Sequence, residues 1–385
     1  MLRPALWLAV AAAGPGAASG LHAERQFAED LSEGAQLEFR AAPPLAGRGS
    51  VNHTAEAPAL KRIHLISIGR QGSCEALELF QRAGGGLPGL SEPLRFTVEG
   101  RTILTDPDSE FKRQQVRCLF SENFSEQDAS ESSTCLGGLH RIVNTQALLA
   151  LKELAANPGH PPLVLKTTRI VNLRLLAEEL SPEQIRGSKF VVLVRDPRAV
   201  WASFKPFPKW AIHEMPLVCK LLAESLLTIP ALADVASDHL EVALYEEWTK
   251  DLARFAEQMG FFLGLDSTEM VRFAREKQRE PVTPKWVGEL TDKEVSQIEN
   301  DPYCRAYMDR VGYKPGKEKG IDHSGLRSSA ELKKGLSSAE QSVISALLAE
   351  GRADAEHTRE LVARAQEIHR QRAAAKAAAD RVVMH

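Results

Sequence analysis

Short apolar runs alternate with stretches of helical period along the middle of the chain. Ile63–Ile68 has the length and branching of a buried strand and breaks at Gly69-Arg70-Gln71-Gly72-Ser73. After that break Ala76, Leu79 and Phe80 fall on one helical face, which Gly84-Gly85-Gly86 ends. A helix over Asn144–Ala156 is followed by Pro162–Arg169, a short buried strand that ends in the cations Lys166 and Arg169. A helix over Asn172–Leu180 comes next. Ser181-Pro182-Glu183-Gln184 then starts another, with Ser as N-cap, Pro at the first helical position and Gln at the third. Phe190–Val194, five apolar residues, is the clearest strand. Asp196 and Pro197 cap and open the following helix, so Arg195 ends a central strand and Ser203 lies about two turns on. Met215–Ser237 is helical in character, Leu240–Trp248 is a strand running into a helix that continues to about Phe262, and Lys285–Tyr313 is a final helical region. This alternation predicts an α/β fold of three layers, a central parallel sheet with helices on both faces, over residues 59–315.

The flanks read differently. Arg3 precedes the apolar run Leu6–Ala13 and small residues through Gly20, the pattern of a signal peptide or short anchor over residues 1–20, with Ala17–Ser19 as candidate cleavage site. No other stretch reads as a membrane span. Residues 21–58 mix Ala, Gly, Pro and charge without period and read as a stem or linker. Residues 316–385 read as a helical, charged tail, with a capping box at Ser337–Glu340 ahead of Val343, Ile344, Leu347 and Leu348. Forty-eight Lys and Arg stand against 51 Asp and Glu, a net charge of −3, which gives no sign of a nucleic-acid partner. Two sequons, at Asn52 and Asn123, and the five cysteines fit a secretory lumen. Cys118 with Cys135 and Cys219 with Cys304 is the pairing sequence order suggests. Cys74 is then left free, and it is expected to be buried in its turn.

The candidate chemistry sits in the two breaks. Strand, glycine-bearing turn and helix start form a cradle for phosphate: Gly69 and Gly72 allow close backbone approach, and the N–H groups of the first helical turn face an anion. Arg70 adds a planar donor fork and Ser73 a hydroxyl. A tight turn without a ligand is the plain alternative. No Lys precedes Ser73, so the nucleotide-kinase signature is absent. Arg195, at the carboxyl end of its strand, is where open α/β sheets place ligands. Asp196 reads as a cap or a local salt-bridge partner instead. Glu92, read from its surroundings alone, is a surface loop acid. No metal cluster with ligand spacing is present in the sequence.

Several stretches, in order, resemble the Golgi carbohydrate sulfotransferases, which move a sulfuryl group from 3′-phosphoadenosine 5′-phosphosulfate (PAPS) to a sugar hydroxyl. The family's Arg-Ser-Gly-Ser-Ser donor loop has Arg70-Gln71-Gly72-Ser73-Cys74 in its place, and its Glu-Pro-Leu is matched by Glu92-Pro93-Leu94. Its Lys-x-x-Arg strand end looks like Lys166 to Arg169, and its Cys before a polar loop like Cys118. Val-Arg-Asp-Pro-Arg-Ala-Val is intact from Val194 to Val200, with the serine at Ser203. The closing Trp, Cys and Gly-Tyr look like Trp286, Cys304 and Gly312-Tyr313, so the likeness spans roughly residues 60–315.

The resemblance implies that Arg70, Gln71, Gly72, Ser73 and Cys74 hold the 5′-phosphosulfate and that Arg195 and Ser203 hold the 3′-phosphate. It also implies that Glu92 is the catalytic base, with Arg70 and Lys166 stabilising charge on the leaving oxygen. The donor would be PAPS, the product PAP, no metal would be needed, and the acceptor would be a glycan or glycoprotein in the secretory pathway, with the Golgi lumen as the expected place and both secretion and an N-terminal membrane anchor open options. Gln71 and Cys74 depart from the family's serines, and a thiol is a weaker donor than a hydroxyl. Leu244 stands where the family often has Arg before Tyr-Glu-Asp. His64, His140 and His213 are rivals to Glu92. Competing readings are a protein-tyrosine or small-molecule sulfotransferase, a non-catalytic PAP-binding luminal protein, and a nucleotide kinase. All depend on the two turns, at Gly72 and Arg195, converging on one ligand; the sequence leaves the oligomeric state open.

Overall fold

The computed structural model describes residues 60–91, 113, 116, 117, 120, 157, 159–168, 172–206, 214–278, 284–320 and 322–350. The readings of a signal peptide, stem, both sequons, Glu92, Cys118, Cys135, His140, the 144–156 helix, Arg169, His213 and the tail beyond 350 lie outside the described residues.

In chain order the elements are β1 (Arg62–Ile66), α1 (Ser73–Phe80), β2 (Gly89–Ser91), β3 (Leu163–Thr167), α2 (Leu173–Glu179), α3 (Pro182–Arg186), β4 (Ser188–Val194) and α4 (Pro197–Phe204). They continue with α5 (Met215–Leu227), α6 (Ile229–Ala236), β5 (Leu240–Leu244), α7 (Tyr245–Trp248), α8 (Leu252–Leu263) and α9 (Thr268–Lys277). The last are α10 (Trp286–Glu289), α11 (Asp292–Asn300), α12 (Pro302–Val311) and α13 (Ser329–Leu332). Residues 338–350 are also helical.

The strands form one sheet in the order β2-β3-β1-β4-β5, with every neighbouring pair parallel. Side chains alternate between its faces, as a pleated strand requires. On one face Ile63, Leu65, Val164, Val191, Leu193 and Ala243 pack against α1, α8 and α9. On the other, Ile66, Leu165, Phe190, Val192, Val194 and Val242 pack against α2, α4, α5, α6 and α12. The fold is therefore the three-layer α/β architecture expected. A run of β-branched and leucine residues was sufficient because both faces of a covered parallel sheet are apolar.

Local rules account for several boundaries. Ser181 and Gln184 form the capping box that opens α3, and the Asp196 side chain accepts from Arg198 N at the start of α4. Met215–His239, taken together, has a mean hydropathy of 1.5 over its most apolar window and meets the length and composition of a membrane span. Its α5 and α6 segments are core helices, with 72% of that window buried. Cys219 of α5 is disulfide-bonded to Cys304 of α12, closing 85 residues of chain. The bond sits among Ala223, Trp286, Val295, Ile298 and Leu347. Leu332 of α13 is fully buried in the main core, so chain beyond residue 315 contributes to it.

The adjacent strands β1 and β4 lead to opposite sides of the sheet: the chain leaves β1 for β2 and β3, and leaves β4 for β5. Their carboxyl ends define a topological switch point, where open α/β sheets form a crevice.

Candidate functional site

Three residues beyond the end of β1, at Gly69, the backbone turns left-handed. Gly69 has φ 91°, Arg70 φ 54° and Gly72 φ 84°. Arg70 is the one non-glycine residue with positive φ among those described, and strain of this kind is stored where surrounding contacts fix it. The turn is held from within: Gln71 Oε1 accepts from Ile68 N at 2.8 Å, and Ser67 Oγ accepts from Gly69 N at 3.3 Å. Gln71, where the resembled family has serine, is thus a buried brace of the loop. Gly72 is the N-cap of the eight-residue α1, with no side chain capping its first turn. The N-terminal N–H groups of a helix carry partial positive charge toward an anion.

Gly72 is fixed by packing as well as by φ. A Cβ there would stand 2.5 Å from Tyr245 Cε2 and 2.9 Å from Trp248 Cζ2. A Cβ on Gly69 would meet Phe204 Cζ at 3.6 Å, so the end of α4 reaches the same turn.

Arg195 follows β4 directly and closes the site from the neighbouring strand. Its Nη1 donates to Arg70 O at 2.8 Å, its guanidinium lies over the Tyr245 ring at 4.0 Å, and its Nε is buried without a hydrogen-bond partner. The Arg195 backbone is clasped by Tyr307: the hydroxyl accepts from Arg195 N at 3.2 Å and lies 3.1 Å from Arg195 O, to which it donates. The two turns therefore converge, as the sequence reading required.

Asp196 belongs to the scaffold. It pairs with Arg198 (2.7 Å), and Arg198 also donates to Glu299 (2.8 Å) and Lys314 O (3.0 Å). Glu246 accepts from Asp196 N at 2.8 Å and from Tyr313 Oη at 2.7 Å. Burial, reinforced by the Asp196 charge, pushes the Glu246 carboxyl up to about 7.

Lys166, near the carboxyl end of β3, is buried, and its Nζ donates to Cys74 Sγ at 3.6 Å. Burial lowers the pKa of Arg70, with the nearby Cys74 acting in the opposite direction. The expectation that Cys74 is buried is corrected: Cys74 is a free, exposed thiol. The buried stripe of α1 is Ser73, Ala76, Leu79 and Phe80, and Cys74 lies one residue off it. A step of one residue turns a helical side chain by about 100°. Ser203 is half-buried on α4, and no hydrogen bond joins it to Arg195 among the described residues. His64 is withdrawn from chemistry: its ring stacks on Phe120 and on Phe190 (4.3 and 5.4 Å), and burial, then Arg62, holds its pKa well below the usual histidine value.

Tyr245, Trp248, Glu246 and Tyr307 frame the site and were not singled out from the sequence as site residues. The signal available was Tyr245-Glu246-Glu247 at a strand's carboxyl end; Tyr307 sits in an ordinary helical period and offers none.

The site so defined is a left-handed, glycine-bearing turn at a helix N-terminus and an arginine at the switch point of a parallel α/β sheet. No protein-family model and no curated protein matches the chain. Among solved structures it is similar to a sulfotransferase from Alicyclobacillus acidocaldarius, at 12% identity over 66% of this chain and 97% of that one, TM-score 0.36. It is likewise similar to the sulfotransferase domain of the Synechococcus PCC 7002 olefin synthase, at 17% identity over 78% and 98%, TM-score 0.36. A third is the mouse sulfotransferase SULT7A1 complexed with PAP, at 13% identity over 65% and 88%, TM-score 0.36.

Proposed function

We propose that this chain is a sulfotransferase that moves a sulfuryl group from PAPS to a hydroxyl, with glycans as the acceptor class and the Golgi lumen as its place of work. The observation that carries the reading is the hydrogen bond from Arg195 to Arg70 O, which makes one site of two anion-binding turns. The residues fit such a donor: a left-handed cradle on a helix N-terminus, a second arginine with a buried, unpartnered Nε, and a buried lysine at the edge of the cradle.

The donor supplies the activated sulfuryl group. The 69–74 turn holds its 5′-phosphate end, through backbone N–H groups and the Arg70 and Lys166 cations. Arg195, with Ser203 on the following helix, holds the 3′-phosphate. Transfer is in-line, like phosphoryl transfer: the acceptor oxygen bonds to sulfur while the sulfur–oxygen bond to the 5′-phosphate breaks, and its electron pair stays on the phosphate. Lys166 and Arg70 stabilise that developing charge. The acceptor proton goes to a base, and we assign Glu92. Lys166 itself is paired in register with Ser91 across β2 and β3.

Calorimetric titration with PAP, with ATP as control, followed by a glycan-acceptor screen with labelled donor, tests the reading. PAP binding in preference to ATP, with label passing to a glycan, is expected. ATP competing equally with PAP overturns it. PAP binding without transfer to any acceptor class leaves a binding protein rather than an enzyme. Glu92→Gln should abolish most turnover at saturating donor while PAP affinity holds; unchanged kcat removes Glu92 as the base.

A further inference from the structure

Tyr245 touches both halves of the site. One face of its ring lies under the Arg195 guanidinium, 4.0 Å from Cζ to centroid, while its Cδ2 and Cε2 edge fills the space a Cβ on Gly72 would take. Trp248, one helical turn away, meets the ring edge to face at 5.1 Å and holds it from behind. Tyr245 begins α7, directly after β5, so its backbone is anchored by the sheet. Arg195 has few other restraints: beyond Nη1 to Arg70 O, its Nε is buried without a hydrogen-bond partner. An arginine side chain left to itself loses considerable rotamer freedom when it takes up a ligand. An aromatic face restricts the guanidinium plane beforehand and leaves its donor edge directed at a ligand.

We propose that Tyr245 is a positioning residue that sets the Arg195 guanidinium against the Gly72 turn, and thereby sets the preference for a 3′-phosphorylated adenosine nucleotide over one that lacks the 3′-phosphate. The inference rests on the reading of Arg195 as the 3′-phosphate ligand. The ring acts through Arg195 and through its edge contact with Gly72, and it takes no part in bond making. The phenol hydroxyl is not needed for this role; the π face is.

The test compares PAP with AMP, which shares the 5′-phosphate end and lacks the 3′-phosphate, by calorimetry on the full chain. Tyr245→Phe should bind both within about twofold of wild type. Tyr245→Leu should lose about tenfold in PAP affinity, within the 3- to 30-fold that a guanidinium–ring contact supports, with AMP affinity nearly unchanged. Tyr245→Met, which keeps length and loses the π face, should behave as Leu does and replaces it if Leu does not fold. Equal losses for PAP and AMP overturn the proposal, because that is the mark of a packing role. So does full PAP preference in the Leu or Met variant, or a Phe variant as impaired as they are. A wild-type protein that binds PAP no better than AMP overturns the assignment of Arg195 itself, a failure read before any Tyr245 variant is made.

Discussion

At the scale of single residues, the site is built on side chains that the backbone leaves little choice in placing. Gly72 needs a left-handed φ and lies where any Cβ would press into Tyr245. Gly72→Ala should destabilise the protein by about 1–3 kcal/mol from backbone strain and by a further ~1–3 kcal/mol from displacing the ring, read from denaturant midpoints. Arg195→Ala should weaken PAP binding by on the order of 2–5 kcal/mol, as for a truncated charge pair; unchanged affinity would reject its role. Cys74, exposed at the cradle, reports on occupancy. Its alkylation by iodoacetamide should slow when PAP is bound, and that protection should disappear in Arg195→Ala at the same PAP concentration.

Glu246 gives a pH dependence of definite sign. Its folded value of about 7 lies above the ordinary 4.5, so the folded state binds more protons than the unfolded chain between those limits. The neutral form is the favoured one; its contribution is intact below about pH 4.5 and declines as pH rises toward 7. At 1.36 kcal/mol per pK unit the full span is on the order of 3 kcal/mol. Urea denaturation across that range should show stability from this group falling with pH, and Glu246→Gln should flatten the slope. An unaltered slope would place the titration elsewhere.

At the scale of elements, most of the sheet was legible because its strands are buried on both faces. Phe190–Val194 and Ile63–Ile68 announce themselves as unbroken apolar runs, and the capping residues Ser181 and Asp196 mark where helices begin. The edge strand β2, Gly89–Ser91, was not read, because three residues carry no period. Arg70, Gly72 and Arg195 were legible as candidates because turn chemistry and strand ends are local properties. Tyr245 and Tyr307 were not, because their role lies in contacts 50 and 112 residues away from Arg195, which depend on how the helices pack. Cys74 was placed on the wrong side of its helix, although the spacing of Ser73, Ala76 and Phe80 contained the answer.

At the scale of the whole molecule, chain beyond residue 315 is part of the folded unit. Arg310 of α12 is buried and donates to Leu332 O (3.0 Å) and Lys334 O (2.5 Å), with Glu340 at 3.3 Å. Leu332 fills the main core and Leu347 the cluster around the disulfide. A chain ending at residue 328 loses both leucines and leaves the Arg310 charge without those acceptors. It should be less stable by about 3–5 kcal/mol, or fail to fold, in chemical denaturation. A fully stable truncated protein would show that this packing is incidental.

The cystine at Cys219–Cys304 lies one helical turn ahead of Tyr307, whose hydroxyl clasps the backbone of Arg195. The redox state of the surroundings is thereby linked, through a single helix, to the backbone that carries Arg195. Reduction of that bond releases the loop of 85 residues that it closes and should lower stability by about 2–5 kcal/mol in chemical denaturation.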